Sequence, residues 1–302
     1  MKERALLFGE AKSLAGVITE PAGSGHPARP GVLFLNAGVL PRIGPNRIHV
    51  RLARELAGRG FASMRFDFSG LGDSRPRTDA RSFAEATVSE TRQAMDVLAA
   101  RTAARSFLLV GICSGADNAL RAAGHDARVA GAALVEPYSV PARGYLLYSY
   151  RRKLVSPRSW WRLLRGKSEL LGGARPEEVS VSEGAPSTPS PSPSMPMSMP
   201  MAAAGEPLVP SGRELVAQVR GLLARGASLC FVYSAESPAY FNYLSLLRRE
   251  LRRPLADGRV RLKVIRETDH VFTPLRAQRA LTDAVTEWAE SAAAAGSGRA
   301  GA

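Results

Sequence analysis

Apolar and polar positions along this chain alternate between a strand-like and a helix-like period, and the order of the two predicts an architecture. The run Val32-Leu33-Phe34-Leu35 reads as a fully buried strand, preceded by β-rich stretches at 5–9 and 13–19 and a turn region from Pro21 to Pro30. After Asn36-Ala37-Gly38, residues 46–59 carry apolar side chains at helical spacing, and 61–66 reads as a strand again. A helix over 82–101, a strand running into Gly111, a helix from 114 and a strand over 129–135 continue the series. The pattern stops near Pro141 and resumes near Gly212 with helix 212–225, strand 228–234, helix 240–253, strand 259–265 and helix 274–290. Repeated units of this kind predict an α/β fold with a mostly parallel central sheet and helices on both faces, in which ligands sit at the carboxyl ends of the strands.

The interval breaks the series and reads as an insertion. Tyr145 to Leu164 is aromatic and basic, whereas Pro186 to Met201 is a Pro/Ser/Met stretch with too little apolar surface to order itself. The expected organisation is a core over 1–140, an inserted lid and disordered linker over 141–211, the rest of the core over 212–290, and a frayed Ala/Gly tail over 291–302. The lid aromatics and arginines fit three readings: ordinary packing of a cap, cover for an acyl chain, or peripheral contact with a membrane.

Composition narrows the class. With 302 residues, 45% of them hydrophobic, the chain can build one α/β domain plus an insertion. Two cysteines and an opening segment without a long apolar leader predict a reducing cytoplasm, and no apolar run reaches the roughly 20 residues that span a bilayer. The net charge of +14 rests mostly on arginine, dense in 151–153, 158–167 and 248–266. It reads as a solvated surface or as attraction to an anionic substrate or membrane, since no nucleic-acid module surrounds it. Four scattered histidines and two distant cysteines offer no metal-ligand spacing, so neither metal nor cofactor is expected. The oligomeric state is left open.

The candidate chemistry starts at Gly111-Ile112-Cys113-Ser114-Gly115, between a buried-strand run and a helix start. Small residues at both ends permit a sharp strand-to-helix turn that lifts the middle side chain above the sheet edge, over a helix N-terminus that favours negative charge. The bland reading is a small buried hydrophobe. Of the four histidines, His26 and His49 precede the turn and His125 falls at the far end of the following helix. His270 lies in the loop Glu267–Pro274 after a strand, at a carboxyl end of the sheet, where a base could meet Cys113. Asp269 beside it reads as a loop-capping residue.

These segments, with Leu35-Asn36-Ala37-Gly38, Arg42-Ile43-Gly44-Pro45-Asn46-Arg47, Arg65-Phe66-Asp67-Phe68-Ser69-Gly70-Leu71-Gly72-Asp73-Ser74 and Asp269-His270-Val271-Phe272-Thr273-Pro274, resemble the α/β-hydrolase family. They are most similar to its serine-aminopeptidase-like and exosortase A system-associated branch, over residues 5–140 and 212–290. The resemblance implies nucleophilic acyl transfer on an ester or thioester, of a small molecule or a carrier-bound acyl group. Cys113 would attack the carbonyl and His270 would shuttle the proton. The N–H of Ser114 and an N–H of Gly38 or Val39 would form the oxyanion hole. Ser114 is the rival nucleophile, and Gly70, Gly72 and Asp73 read as turn geometry.

The sequence departs from the family at the third triad member. Where the family places an aspartate after strand 228–234, this chain reads Ser234-Ala235-Glu236-Ser237-Pro238, so Ser237 stands in the acid's place and Glu236 one residue early. Glu136, after strand 129–135, is the alternative acid, and a thiol can also pair with histidine without one. A different class of function stays open beside the enzyme: a catalytically inactive hydrolase fold kept for binding.

Overall fold

The computed structural model describes residues 1–23, 29–139, 145 and 210–299. The eight strands are β1 (Lys2–Phe8), β2 (Leu14–Glu20), β3 (Gly31–Leu35), β4 (Ser63–Phe66), β5 (Phe107–Ile112), β6 (Val129–Val135), β7 (Ser228–Ser234) and β8 (Val260–Ile265). They form one sheet in the order β1-β2-β4-β3-β5-β6-β7-β8. Only β2 runs against its neighbours; the pairs β3–β4, β3–β5, β5–β6, β6–β7 and β7–β8 are parallel. Parallel neighbours require crossovers, here built on α1 (Ile48–Gly58), α2 (Phe83–Arg101), α3 (Ser114–His125), α4 (Gly212–Ala224), α5 (Pro238–Asn242) and α6 (Arg252–Ala256), with α7 (Leu275–Arg299) closing the chain. On one face Leu33, Leu109, Leu134 and Phe231 pack with Leu98, Leu120 and Val219; on the other, Val32, Leu108, Val110 and Val232 pack with Leu52, Leu56, Leu281 and Trp288. Cover on both faces is why the central strands read as unbroken apolar runs rather than as alternation. Among the described residues no helix is long and apolar enough to cross a membrane.

Two stretches differ from the sequence pattern. The helix expected over 240–253 is broken: after α5 the backbone widens over Tyr243–Leu247, where Arg248 N–H reaches Tyr243 C=O, and a new short helix starts at Arg252. Pro254 then lies in a first turn, where a missing N–H costs nothing, rather than inside one long helix, where it would break a bond. The tail expected to fray from 291 continues α7 as far as Arg299, because Trp288, Ala289 and Ala292 are buried against the sheet and alanine is the strongest helix former. The expected lid and linker, but for Tyr145, Pro210 and Ser211, lie outside the described residues, as does His26.

His49 on α1 is fully buried beneath the loop after β3, its ring 5.4 Å from that of Phe34, with a backbone interaction at Arg42 too weak to offset burial and the nearby Arg65 charge. Burial therefore pulls its pKa down to about 4. In the unfolded chain it titrates near the ordinary value, so between pH ~6.5 and ~4 the unfolded state binds the extra proton and stability falls as the pH is lowered, by about 3 kcal/mol in all. Asp117 and Glu136, whose folded pKa values are raised, act with the opposite sign in the same region. The expected outcome is a His49→Leu variant whose stability relative to wild type improves steadily as urea melts are run from pH 7 down to pH 4. A constant difference over that range would show that His49 does not take up a proton on unfolding.

Candidate active site

The strand registers bring the candidate residues to one edge of the sheet. Leu35 of β3 aligns with Gly111 of β5, Ile112 with Val135 of β6, Val135 with Val232 of β7, and Ser234 with Ile265 of β8. The segments just beyond these residues carry Gly38 and Val39, Cys113, Glu136, Glu236 and Ser237, and His270. Of the described non-glycine residues with positive φ, all but Ala11 and Lys12 stand in the connections at this same carboxyl edge: Asn46, Arg47, Cys113, Glu136, Tyr138, Glu267 and Phe272. Backbone held in that region costs energy and persists only where its surroundings enforce it.

Cys113 occupies the tip between β5 and α3 with φ 54° and ψ −125°, its N–H donating to Val135 C=O at 2.8 Å and its C=O accepting from Ala116. The side chain is half-buried. Burial pushes the thiol up, and the charges of Asp117 and Glu136 push the same way, while Ser114 N–H and the Ser139 hydroxyl pull it back. The surroundings of Cys113 thus favour its neutral thiol over the thiolate. Cys230, inside β7, is fully buried and pushed up to about 12, an inert core residue.

The oxyanion-hole candidates divide. Gly38 N–H donates to Ser114 Oγ at 2.8 Å, so the Ser114 hydroxyl faces the loop after β3 and one expected donor is occupied in the resting structure. Val39 N–H has no partner among the described residues, and Ser114 N–H already points at the Cys113 sulfur. Val39 N–H is thus the unoccupied donor, while Ser114 N–H is turned toward the sulfur.

The two candidate acids sit in opposite environments. Glu236 is exposed, and its neighbour Ser237 caps α5 through Tyr240 N–H at 3.0 Å. Glu136 is buried to 1% exposure at the end of β6. Its Oε1 accepts the N–H of Ser234, the last residue of β7, and its Oε2 is buried without a hydrogen-bond partner. Burial pushes the carboxyl up, and the Ser234 N–H and the hydroxyls of Ser237 and Ser234 pull it back. The carboxylate thus reaches across from β6 to the end of β7, where Ser237, just beyond the strand, stands in the place of the expected aspartate.

His270 is exposed on the loop after β8, and no hydrogen bond joins it to Cys113 or Glu136. That loop is braced around it. Asp269 accepts from Thr273 N–H at 2.8 Å and Thr273 Oγ1 at 2.6 Å, Phe272 is buried, and Asn46 Nδ2 donates to Val271 C=O at 3.0 Å. Catalytic hydrogen bonds are commonly long before substrate binds, so an exposed base at the right edge is compatible with the role.

Sequence reasoning passed over Asp117 and Ser139. Asp117 lies one helical turn after Cys113, a spacing that could have flagged it, and its carboxylate accepts Tyr138 N–H at 2.8 Å, fixing the strained turn after Glu136. Burial raises it to about 6. Ser139 carries no sequence signal, because only the fold of that turn brings its hydroxyl to the thiol.

No family model and no curated protein matches the sequence. Solved structures do. The chain is similar to a dienelactone hydrolase from Anabaena variabilis, with 15% identity over 95% of this chain and 96% of the other and a TM-score of 0.55. An esterase from Pyrococcus furiosus gives 12% identity, 97% and 91% coverage and a TM-score of 0.56. Est1E from Butyrivibrio proteoclasticus, solved with ferulic acid bound, gives 14%, 93% and 96%, and 0.55. At these identities the likeness is one of fold, and the fold is that of the α/β-hydrolases.

Proposed function

We propose that the protein is an acyl-transferring hydrolase that opens ester or thioester bonds through a covalent Cys113 intermediate. The observation that carries this reading is the strained Cys113 backbone at the β5–α3 tip, a conformation that costs energy and that holds this side chain at the carboxyl edge of the sheet. His270 takes the thiol proton as Cys113 Sγ bonds to the substrate carbonyl carbon; the N–H groups of Val39 and Ser114 receive the oxyanion. Collapse expels the alcohol or thiol, which regains a proton from His270, and water or another acceptor then releases the acyl group. Glu136 supports the imidazolium better than Glu236 does, being buried where a carboxylate interacts most strongly.

The acyl portion is apolar. Val39, Leu40 and Ile43 on the loop after β3 and Leu275 at the start of α7 are four of the six exposed large hydrophobic residues of the described chain, and they flank the loops that carry the oxyanion donors and His270. A carrier-bound acyl group and contact of the basic lid with an anionic surface belong to the same reading; the lid's basic segments lie outside the described residues.

Intact-mass spectrometry after brief exposure to p-nitrophenyl esters and acyl thioesters tests it. Wild type should gain one acyl group, and Cys113→Ala and His270→Ala should not. Hexanoyl esters should react about tenfold faster than acetyl esters, since four added methylenes at ~0.8 kcal/mol each are only partly covered at an open mouth. The second reading, a binding protein, draws on the raised thiol, the occupied Gly38 N–H and the unengaged His270. A folded wild type that takes up no acyl group favours it.

A further inference from the structure

Asp67 follows β4, belongs to none of the catalytic roles above, and is fully buried. Its carboxylate collects four N–H donors. Oδ1 accepts from Asn36 Nδ2 at 3.1 Å and from Arg42 N–H; Oδ2 accepts from the Arg42 guanidinium and from Asp73 N–H at 3.2 Å. Arg42 also grips Asp73 at 2.6 Å. Asn36 donates to Leu40 C=O at 2.8 Å and accepts Phe68 N–H at 2.9 Å. The turn over Gly70–Ser74 closes tightly on the carboxylate: a Cβ on Gly72 would stand 2.3 Å from Asp67 Oδ2, and Gly72 has φ +50°. Ser74 Oγ then donates to Asp67 C=O at 2.6 Å and accepts Ala15 N–H at 2.9 Å, tying the turn to β2.

The bonds of Asn36 and Arg42 bear on one short segment, and the others hold the turn and the carboxylate that grip it. Residues 36–42 leave β3, carry Gly38 and Val39, and are gripped at both ends, by Asn36 and by Arg42, on a single buried charge. A buried ion pair contributes little net stability against an apolar replacement, but it fixes geometry, because both charges must keep their partners. Val39 N–H lies in an exposed loop, held otherwise by the Gly38 N–H bond to Ser114 Oγ and by a turn in which Leu40 N–H donates to Ala37 C=O at 3.1 Å, so the clamp sets where that turn sits rather than its internal shape.

We propose that Asp67 and Arg42 form a positioning clamp that aims the Val39 N–H at the oxyanion, so that the turn over 69–74 serves catalysis from a distance. This rests on the acyl-transfer reading. The clamp touches neither substrate nor thiol, so it acts on reactions that build an oxyanion and leaves others alone. Acylation of Cys113 by an ester passes through a tetrahedral oxyanion; alkylation by iodoacetamide displaces iodide at carbon and builds none.

The test compares both reactions in Asp67→Asn, Arg42→Lys and Asp73→Asn, with hydrogen exchange of residues 37–42 read alongside. Asp67→Asn should slow acylation by p-nitrophenyl hexanoate about 30-fold, less than outright loss of an oxyanion donor, with alkylation within about twofold of wild type. Arg42→Lys, which keeps the charge and loses the two-pronged grip, should fall between, and exchange at 37–42 should rise in the same order. Asp73 is exposed, so Asp73→Asn keeps the comparison open if Asp67→Asn fails to fold, and it should slow acylation several-fold. Equal losses in acylation and alkylation, or unchanged acylation with fast exchange at 37–42, would overturn the clamp. A wild type that alkylates but never acylates overturns the acyl-transfer reading itself, and the clamp with it.

Discussion

Replacing Glu136 by glutamine is expected to slow the first acylation of Cys113 by about 10²-fold, whereas Glu236→Gln stays within about twofold of wild type. In the acyl-transfer reading, an amide in place of the buried carboxylate removes a charge that would favour an imidazolium at His270, while the size of the group is kept. The loss is smaller than for a serine nucleophile, because a thiol gives up its proton more readily. Burial raises the Glu136 carboxyl, so the wild-type rate should decline on acidification at a higher pH than an ordinary glutamate would produce. Protonation removes the charge there just as the glutamine does, so the ratio of wild-type to Glu136→Gln rates should fall toward one on acidification, while the limb due to protonation of the base itself stays in both. Stopped-flow release of p-nitrophenol between pH 4 and 8 reads both effects. A larger loss in Glu236→Gln would move the acid to the segment after β7.

Gly115→Ala is expected to destabilise the protein by about 3 kcal/mol or more and to abolish the acyl adduct even in the fraction that folds. A Cβ at Gly115 would stand 2.5 Å from Asn36 C=O and 2.8 Å from Leu35 C=O, and one at Gly111 would stand 2.1 Å from Gly115 C=O. These neighbours are backbone and have no rotamer to change, so α3 would be pushed off the end of β3. That displaces Cys113 and the loop of Val39 in opposite directions. Urea melts and intact-mass labelling on one preparation read stability and adduct together. A variant that melts with wild type would show that α3 does not approach β3 so closely in solution.

Much of the fold was legible because its signals are local. An apolar run of Val32–Leu35 flanked by turn residues, or the helical period over 82–101, is decided within a few residues, and both gave the elements expected, the second opened by a capping box of Ser82 and Glu85. The Gly111–Gly115 turn is legible for the same reason: two small residues around a strained tip are a local requirement. The helix expected over 240–253 and the frayed tail went differently because the outcome depended on what those residues meet: Pro254 opens a new turn, and Trp288, Ala289 and Ala292 find the sheet.

By itself, then, the sequence determined the βα alternation, the position of the sharp turn and the absence of an aspartate after β7, since each is a property of neighbouring residues. Only the tertiary structure decided that Gly38 N–H goes to Ser114, that the Glu136 carboxylate reaches Ser234 on the next strand, and that Asp67 gathers Asn36, Arg42 and Asp73. These partners are separated by 98 residues in one case and 76 in another, and strand register selects them. A hydrogen-bond donor carries no mark of its acceptor until the sheet has aligned the two, and the chemistry of this edge is made of such pairs.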